Sequence, residues 1–385
     1  MNIQMVENFF PQGIAAGKAF LGRDAQIKWL SDNIHSNHHT LLLAPRRFGK
    51  TSLVLNTLNK IKLPYAEIDL HLAVSAKSVE KKILRALATL LKKTTRKNEQ
   101  ILTMVQSFFK RNKAKWSLGF KGVLGVELEA DPQEDSPENI LMGLKLIDHV
   151  LGKKKKRAVL FIDEFQEIHR IDEGRQLQGA IRHFAQMSKN LVLIFSGSNR
   201  KMLTYMFDDK SQPMYELCDR ILLDRIAPIH YKKYINQIAM KTWGKALPEG
   251  AVDKIMILSE RHPKRIYNLC YYLWRLHADK KTLPQLKDVE QAWEFFVNQR
   301  IKDLRYNLSK QSSGQIKVLS LIANNQADGL TSKAAQELTK MAGSSILKAI
   351  NKLDLNDYIE RVESGKYQII DPLICYVLQK REVIQ

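Results

Sequence analysis

Short apolar runs separated by helical patterns organise the first part of the chain. Thr40–Leu43, Tyr65–Leu70, Ala158–Ile162 and Leu191–Phe195 have the length of strands, and the last two are apolar throughout, as in strands buried on both faces of a sheet. Between them, apolar residues recur at helical spacing, for example over Ser78–Leu91. Strands that alternate with helices predict an α/β fold with a doubly wound parallel sheet.

The pattern changes twice further along the chain. Lys115–Glu129 alternates and contains three glycines, which predicts a β-hairpin rather than a helix. From about Pro228 to Phe296 the spacing is helical and no strand is predicted.

The last segment, from about Ser309, predicts three helices followed by a two-stranded ribbon. The helical patterns and the ribbon lie at Gln315–Ala323, Ser332–Thr339, Ser344–Asn356 and Tyr358–Ile370. This is the arrangement of a winged helix, a fold whose third helix can enter a DNA major groove. The alternative is a module that packs on protein, and twelve Lys and Arg against nine acidic residues over Ile301–Gln385 favour that alternative.

A phosphate-binding loop follows the first strand. The residues are Ala44-Pro45-Arg46-Arg47-Phe48-Gly49-Lys50-Thr51-Ser52, which match G-x-x-x-x-G-K-[ST] except that Ala44 replaces the first glycine. In such a loop, backbone N–H groups and the start of the following helix converge on a phosphate. We expect Lys50 to reach the β- and γ-phosphates of a nucleotide and Thr51 to offer its hydroxyl to Mg²⁺.

Two acidic residues directly follow the apolar run Ala158–Ile162. Asp163 and Glu164 end that strand at the edge where ligands of open α/β sheets bind, and we expect the strand to neighbour the one before the phosphate loop. Asp163 is predicted to hold Mg²⁺ through water, and Glu164 to accept a proton from the water that attacks the γ-phosphate. Ser196, after another buried strand, is predicted to face the phosphates too. The alternative for the acids is a solvated strand end.

Composition adds two constraints. The chain has 385 residues, of which 44% are hydrophobic and 26% charged, so we expect two or three globular domains. No apolar run approaches membrane-spanning length, and the three cysteines match no metal or redox spacing. We therefore expect a cytoplasmic protein without a membrane segment.

The chain has a net charge of +21, and its positive residues are concentrated in two stretches of the sequence. Between Lys77 and Lys121 there are thirteen Lys and Arg against two acidic residues, and Lys153–Arg157 forms a second cluster. Nucleic acid is the anionic partner that such a stretch favours. For Lys77–Lys121 a solvated helix face and loop explain the charges equally well, and for Lys153–Arg157 that explanation is the better one.

Together these landmarks resemble the archaeal-type ATPases of the STAND branch of P-loop NTPases, which are relatives of AAA+ proteins. The resemblance covers nearly the whole chain. It implies that Arg23 lies beside the nucleotide base, that Ser196 ends a sensor strand, and that His262-Pro263 contacts the nucleotide from a helical lid. Its matching motifs are Phe20–Arg23, Pro45–Ser52, Phe161–Gln166, Phe195–Ser198, His262-Pro263 and Asp371-Pro372.

The resemblance also divides the chain into three domains. A P-loop ATPase domain over 1–227, with a basic insertion at about 92–137, precedes a helical lid over 228–308 and a winged helix over 309–385. The implied activity is that of an Mg²⁺-dependent ATPase and nucleotide-driven switch. Two alternatives stay open, namely a DNA-binding regulator with little turnover and a scaffold that binds a protein partner through the winged helix. Monomer and homo-oligomer also both stay open.

Overall fold

The computed structural model describes residues 3–95, 100, 103–107, 117–121, 125–129, 135–277, 282–324, 329–362 and 366–380. The chain forms two compact units. Unit 1 comprises Met1–Arg23, Pro45–Ser52 and Asp224–Gln385, and unit 2 comprises Asp24–Ala44 and Leu53–Leu223. Most of the phosphate loop therefore clusters with unit 1, whereas Asp163, Glu164 and Ser196 belong to unit 2.

Within the described residues, seven strands belong to unit 2 and two more belong to unit 1. They are β1 Thr40–Leu43, β2 Tyr65–Asp69, β3 Ser117–Lys121, β4 Gly125–Glu129, β5 Ala158–Asp163, β6 Leu191–Gly197, β7 Asp219–Leu222, β8 Ile359–Arg361 and β9 Tyr367–Ile369.

Helices alternate with the strands in unit 2 and make up most of unit 1. They are α1 Ile3–Phe9, α2 Asp24–His35, α3 Lys50–Ile61, α4 Ala76–Thr94, α5 Ser136–Lys153, α6 Gly174–Met187, α7 Arg200–Asp208, α8 Pro228–Trp243, α9 Ala251–Leu258, α10 Pro263–His277, α11 Leu286–Ser309, α12 Ser313–Ala323, α13 Lys333–Thr339, α14 Gly343–Leu355 and α15 Pro372–Gln379, with 3₁₀ turns at Gly17–Ala19 and Phe165–Arg170.

Unit 2 contains a parallel sheet of five strands in the order β2-β5-β6-β1-β7. The register places Leu41 opposite Phe195, and Phe161 opposite Ile194. The predicted α/β architecture with a parallel sheet is confirmed. The expectation that the strand carrying Asp163 neighbours the strand before the phosphate loop is wrong, because β6 lies between them.

The core of unit 2 follows from the apolar strands. β1 and β6 are buried along their whole length, and β5 is buried up to Asp163. Residues of α4, α5 and α6 join the strands in one hydrophobic cluster. The carboxyl ends of the central strands are where this apolar packing gives way to polar side chains.

The turn that leads into β6 is organised by one carboxylate. Oδ1 of Asp148, on α5, accepts hydrogen bonds from the backbone N–H groups of Lys189, Asn190 and Leu191 at 3.2, 2.8 and 3.0 Å. The hydroxyl of Ser188 donates to the same oxygen at 3.1 Å. Asp148 thus provides a hydrogen-bond acceptor for the backbone N–H groups of this turn, and it helps to fix where β6 begins.

Two further features of unit 2 bear on the sequence predictions. The hairpin expected over Lys115–Glu129 is confirmed, because β3 and β4 pair antiparallel. Strand β7 was not predicted, since only Ile221 of its four residues is buried and it lies at the sheet edge. Residues 131–134, which follow β4, lie outside the described residues.

Unit 1 is helical and has an aromatic core. Trp274, Trp293, Phe10 and Phe296 are among its most fully buried side chains. The ring of Phe10, the residue after α1, lies 4.8 Å from that of Trp274 between centroids, so the N-terminal segment packs into the helical core through this residue.

The final part of unit 1 contains the three helices and the ribbon expected from the sequence. These are α12, α13 and α14, with β8 and β9 paired antiparallel. Ser364 and Gly365, in the middle of the predicted ribbon, lie outside the described residues. The interpretation of this segment as a winged helix, and the division into three domains, stay predictions.

None of the helices in the described part of the chain combines the length and apolarity needed to cross a membrane.

Candidate functional site

The phosphate loop connects β1 to α3 through two residues with left-handed backbone. Arg47 has φ 67° and Gly49 has φ 91°, and helix α3 begins immediately afterwards at Lys50. The backbone at Gly49 favours glycine, because side chains make that region of φ costly. Ala44, which replaces the usual first glycine, is buried, so the structure accommodates its methyl group.

Lys50 is held inside the turn of its own loop. The side chain is buried, and Nζ donates to the carbonyl oxygen of Pro45 at 3.2 Å. A buried ammonium is costly unless charge or hydrogen bonds compensate it, and a phosphate supplies both. The conformation of the loop and the N-terminus of α3 therefore fit a bound phosphate group.

The N-terminal segment of unit 1 braces the loop. Arg23 Nη2 donates to the carbonyl oxygens of Phe48, at 3.4 Å, and Asp224, at 2.6 Å. Burial lowers the pKa of this guanidinium. The hydroxyl of Ser52 accepts a hydrogen bond from the backbone of Ala15 at 3.1 Å. Two residues predicted to bind the cofactor thus also stabilise the position of the loop within unit 1.

Phe48 connects the loop to the residues that were expected to form the lid. Its buried ring meets the edge of His262, with ring centroids 5.0 Å apart, and the guanidinium of Arg225 lies 5.5 Å from the same ring. Burial lowers the pKa of His262 to about 3, so the imidazole is neutral at pH 7. In the part of the chain that the structure describes, Nδ1 of His262 has no hydrogen-bond partner.

Two ion pairs tie residues next to the loop to the C-terminal segment. Arg225 pairs with Glu360 on β8, and its Nε donates to the carbonyl oxygen of Glu260 at 2.8 Å. Arg265, the third residue of α10, donates through Nε to Asp371 at 2.9 Å. The side chain of Arg265 is buried.

Positive charge accumulates around the loop arginines. The pKa of Lys264 is lowered to about 8, first by burial and then by the charges of Arg47, Arg265 and Arg300. Burial and the charge of Arg265 likewise lower the pKa of Arg47. An anion is the ligand that this charge distribution favours.

In unit 2, the first acid after β5 is bonded to the neighbouring strand. The hydroxyl of Ser196, at the end of β6, donates to Oδ1 of Asp163. On the other side, Asp69 of β2 is in register with Asp163. The pKa of Glu67 is raised by burial and by the charges of Asp163 and Asp69, which marks this edge as a place where negative charge is concentrated. The sheet therefore brings Asp163 and Ser196 together.

Oxygen ligands of this kind suit Mg²⁺, which binds through one or two carboxylates and keeps several waters. Among the described residues, no group of three or more His, Cys, Asp or Glu side chains has a metal-binding arrangement. A carboxylate beside a hydroxyl fits a metal that keeps several waters and also binds phosphate.

The second acid, Glu164, has a different set of partners. Its backbone is left-handed, with φ 53°, at the point where the chain leaves β5. Oε2 accepts from Gln166 Nε2 at 2.5 Å and from the hydroxyl and backbone N–H of Ser198 at 2.8 and 3.2 Å. Gln166 and Ser198 were not predicted as site residues, although both lie within polar strand ends that the sequence analysis identified.

Arg182, Arg200 and Arg220 of unit 2 carry the guanidinium group that an arginine finger requires. Arg182 donates to the carbonyl oxygens of Pro213 and Tyr215 at 2.8 and 2.6 Å, and Arg220 donates to Asp208 at 2.8 Å. Arg200 begins α7. Two of the three thus have structural roles inside unit 2.

Several cations of the basic clusters bind backbone carbonyl groups. Lys82 donates to Asp69, Lys93 to Tyr65 and Lys156 to Thr94, at 2.7, 2.7 and 3.3 Å, and Arg157 donates to His35 at the end of α2. Cations stabilise the carbonyl ends of helices. For Lys153–Arg157 this supports the structural explanation. Arg96, Lys97, Lys110, Arg111, Lys113 and Lys115 of the basic stretch lie outside the described residues.

Comparison with solved structures identifies similar folds. A Walker-type ATPase of Pyrococcus abyssi is 17% identical and superimposes with a TM-score of 0.70, covering 97% of this chain and 99% of its own. The ORC2 protein of Aeropyrum pernix, solved as ADPNP-ADP complexes, is 11% identical with a TM-score of 0.55 over 98% of both chains. The ORC1 protein of the same organism, in complex with DNA, is 12% identical with a TM-score of 0.51, covering 98% of this chain and 96% of its own.

No protein-family model matches the sequence, and no curated protein matches it either. The likeness to the solved structures extends over the whole chain, but at these identities it concerns the fold. The chain therefore has the fold of an α/β P-loop NTPase.

Proposed function

We propose that this protein is an Mg²⁺-dependent ATPase. The observation that carries the proposal is the pair of consecutive acids after β5, which have separate partners. Asp163 accepts from Ser196, whereas Glu164 accepts from Ser198 and Gln166. Adjacent carboxylates held in different ways suit different tasks, here the binding of Mg²⁺ by Asp163 and the acceptance of a proton by Glu164.

The phosphate loop supplies the binding residues in this proposal. Lys50 binds the β- and γ-phosphates, Thr51 offers its hydroxyl to Mg²⁺, and the backbone N–H groups from Arg46 to Lys50 bind phosphate oxygens. Mg²⁺, when bound, neutralises charge that develops on the transferred phosphoryl group. Ser196, Arg23 and His262-Pro263 complete the proposed nucleotide contacts, on the strength of the resemblance to STAND ATPases.

We also propose that nucleotide state controls the position of the C-terminal segment. Phe48 of the loop contacts His262 and Arg225, and Arg225 pairs with Glu360 of β8. A change in the loop would therefore reach the proposed winged helix through two residues. This supports a nucleotide-driven switch built from the three predicted domains.

The test separates binding from hydrolysis. Lys50→Ala is expected to weaken Mg-ATP binding by at least about 100-fold, because the buried ammonium that meets the phosphates is lost. Glu164→Gln is expected to keep binding and to reduce kcat by about 10²–10⁴-fold, because it removes the base. Calorimetric titration with Mg-ATP and a phosphate-release assay measure the two effects.

Two exposed residues, Lys60 and Glu173, provide matched controls. Lys60→Ala on α3 and Glu173→Gln before α6 remove the same charges away from the loop and the strand end. Both should behave as wild type. Undiminished hydrolysis by Glu164→Gln would exclude Glu164 as the base, and unchanged binding by Lys50→Ala would contradict the whole proposal.

A second candidate is a DNA-binding regulator in which nucleotide is a ligand with little turnover. The net charge of +21 and the density of cations over Lys77–Lys121 favour it, and the similar ORC1 structure is a complex with DNA. Filter binding to duplex DNA at several salt concentrations tests it. If Z phosphates are neutralised, log K falls with log salt at a slope of about −0.9Z, so a flat response contradicts this function.

A third candidate is a protein scaffold. The helices of the proposed winged helix expose Leu338, Leu347 and Leu355. Exposed leucines favour a protein surface over a phosphate backbone as their partner. Stoichiometric capture of a protein without nucleic acid would support this function, and a chain that captures none would contradict it.

A further inference from the structure

Three hydrogen-bond donors converge on a single oxygen of Glu164. Oε2 accepts from Gln166 Nε2 at 2.5 Å, from Ser198 Oγ at 2.8 Å and from Ser198 N at 3.2 Å. The donors come from two elements, the 3₁₀ turn after β5 and the end of β6. A carboxylate held from two directions keeps one orientation, and a single donor could not fix it in this way.

Gln166 makes this contact while leaving its own oxygen unsatisfied. The side chain is 2% exposed, and Oε1 has no hydrogen-bond partner within the described ranges. The amide cannot be reversed without placing its oxygen against the carboxylate of Glu164, since only the NH₂ group donates. A buried amide oxygen without a partner is costly, so the position of Gln166 is explained by what its NH₂ group donates to. These acceptors are Glu164 Oε2 at 2.5 Å and, more weakly, Glu167 Oε1 at 3.3 Å.

Gly197, the last residue of β6, leaves the space that Gln166 occupies. A Cβ added at Gly197 would lie 1.8 Å from Gln166 Oε1 and 3.2 Å from a methyl carbon of Leu203. The glycine is therefore required by packing against Gln166. Two consecutive residues at the end of β6 thus contribute to the position of Glu164. Ser198 donates hydrogen bonds to its carboxylate, and Gly197 leaves the space for Gln166, the other residue that donates to it.

We propose that Gln166 and Ser198 are positioning residues that hold the Glu164 carboxylate in its productive orientation. The inference rests on the proposed function. In that reaction the water oxygen forms a bond to the γ-phosphorus, its proton passes to Glu164, and the bond to the bridging oxygen breaks as ADP leaves. A base that is already oriented loses no rotational freedom in the transition state, and a small misplacement is costly.

Single variants test the effect on turnover. Gln166→Met keeps the length of the side chain and removes its donor to Glu164. Ser198→Ala removes the hydroxyl, which is one of the two donors that Ser198 supplies, and keeps the backbone N–H. We expect kcat to fall by about 10- to 100-fold for Gln166→Met and less for Ser198→Ala, with KM for ATP changed by less than about threefold. Gly197→Ala should resemble Gln166→Met, because the added methyl displaces the amide.

The chain offers a matched control for the glutamine. Gln178 on α6 is also buried and also has an Oε1 without a partner among the described residues, but it does not bond Glu164. Gln178→Met should therefore leave kcat unchanged. If Gln178→Met and Gln166→Met slow turnover equally, the effect reflects general loss of packing and the proposal is overturned.

A double-mutant cycle gives the decisive result. If Gln166 acts through Glu164, Gln166→Met in a Glu164→Ala background should slow the residual reaction by less than about twofold. Additive losses would overturn the positioning role while leaving the ATPase proposal intact. A wild-type protein that hydrolyses Mg-ATP no faster than Lys50→Ala would instead overturn both proposals.

Discussion

The two units position their polar groups in different ways. In unit 2, Asp163 and Glu164 are held by Ser196 and Ser198, which lie at the end of the adjacent strand. In unit 1, the residues around the phosphate loop are held by ion pairs between distant segments, such as Arg225 with Glu360 and Arg265 with Asp371. A sheet supplies short-range partners automatically, whereas a helical unit has to bring charges together through tertiary packing.

The difference has an energetic consequence. The partners of the acids in unit 2 are hydroxyl and amide groups, whose loss leaves a strand end still supported by its ladder. The partners in unit 1 are buried opposite charges, and a buried charge that loses its partner is strongly destabilising. We therefore expect substitutions in unit 1 to affect stability most, and substitutions at the strand ends of unit 2 to affect turnover most.

The largest expected effect on stability is at the buried pair of Arg225 and Glu360. Glu360→Ala should lower the free energy of unfolding by about 3–5 kcal/mol, because it leaves the guanidinium of Arg225 buried without its carboxylate. Urea unfolding followed by circular dichroism measures the change. The double variant Arg225→Met with Glu360→Leu should recover most of the loss, and a loss that is equally large in the double variant would contradict this explanation.

A smaller effect is expected in unit 2 at Asp148. Asp148→Ala removes the acceptor for three backbone N–H groups and one hydroxyl before β6, and should cost about 2–3 kcal/mol. The same urea titration measures it. Asp148→Asn keeps one acceptor oxygen and should cost less. If Asp148→Ala costs more than Glu360→Ala, the contrast between the units is wrong.

The smallest effect depends on pH and sharpens the comparison at His262. The pKa of His262 is lowered to about 3 in the folded protein, against about 6.5 in an unfolded chain, so the unfolded chain binds more protons between these values. Stability should therefore fall as pH drops below 6.5, by about 2 kcal/mol between pH 7 and pH 5. His262→Phe should remove this component from unfolding titrations at the two pH values.

Much of the sheet could be predicted because its central strands are apolar and its helices are periodic. The bounds of α4, and the ends of β5 and β6, lie close to the predicted ones. Strand β7 could not be found, since Asp219-Arg220-Ile221-Leu222 is a four-residue edge strand that begins with two charged residues. The order of strands also escaped prediction, because it depends on how each helix crosses the sheet and not on any local pattern.

The same distinction applies to the candidate site. Asp163 and Ser196 could be paired in advance, since both follow buried strands and parallel strands end at one edge. The partners of Arg225 and Arg265 could not, because Glu360 and Asp371 lie more than a hundred residues away and no periodicity connects them. The role of Gln166 was equally hidden, since it depends on the space left by Gly197.

The position of β6 between β5 and β1 couples folding accuracy to chemistry. Neighbouring side chains on a strand point to opposite faces, so a shift of one residue in its pairing would exchange Phe195 with Ser196. Such a slip would separate the Ser196 hydroxyl from Asp163 and take the ring of Phe195 away from those of Phe165 and Phe207. A chain with this misalignment would thus be less stable even without a ligand. Every correctly paired chain would place the Ser196 hydroxyl against Asp163.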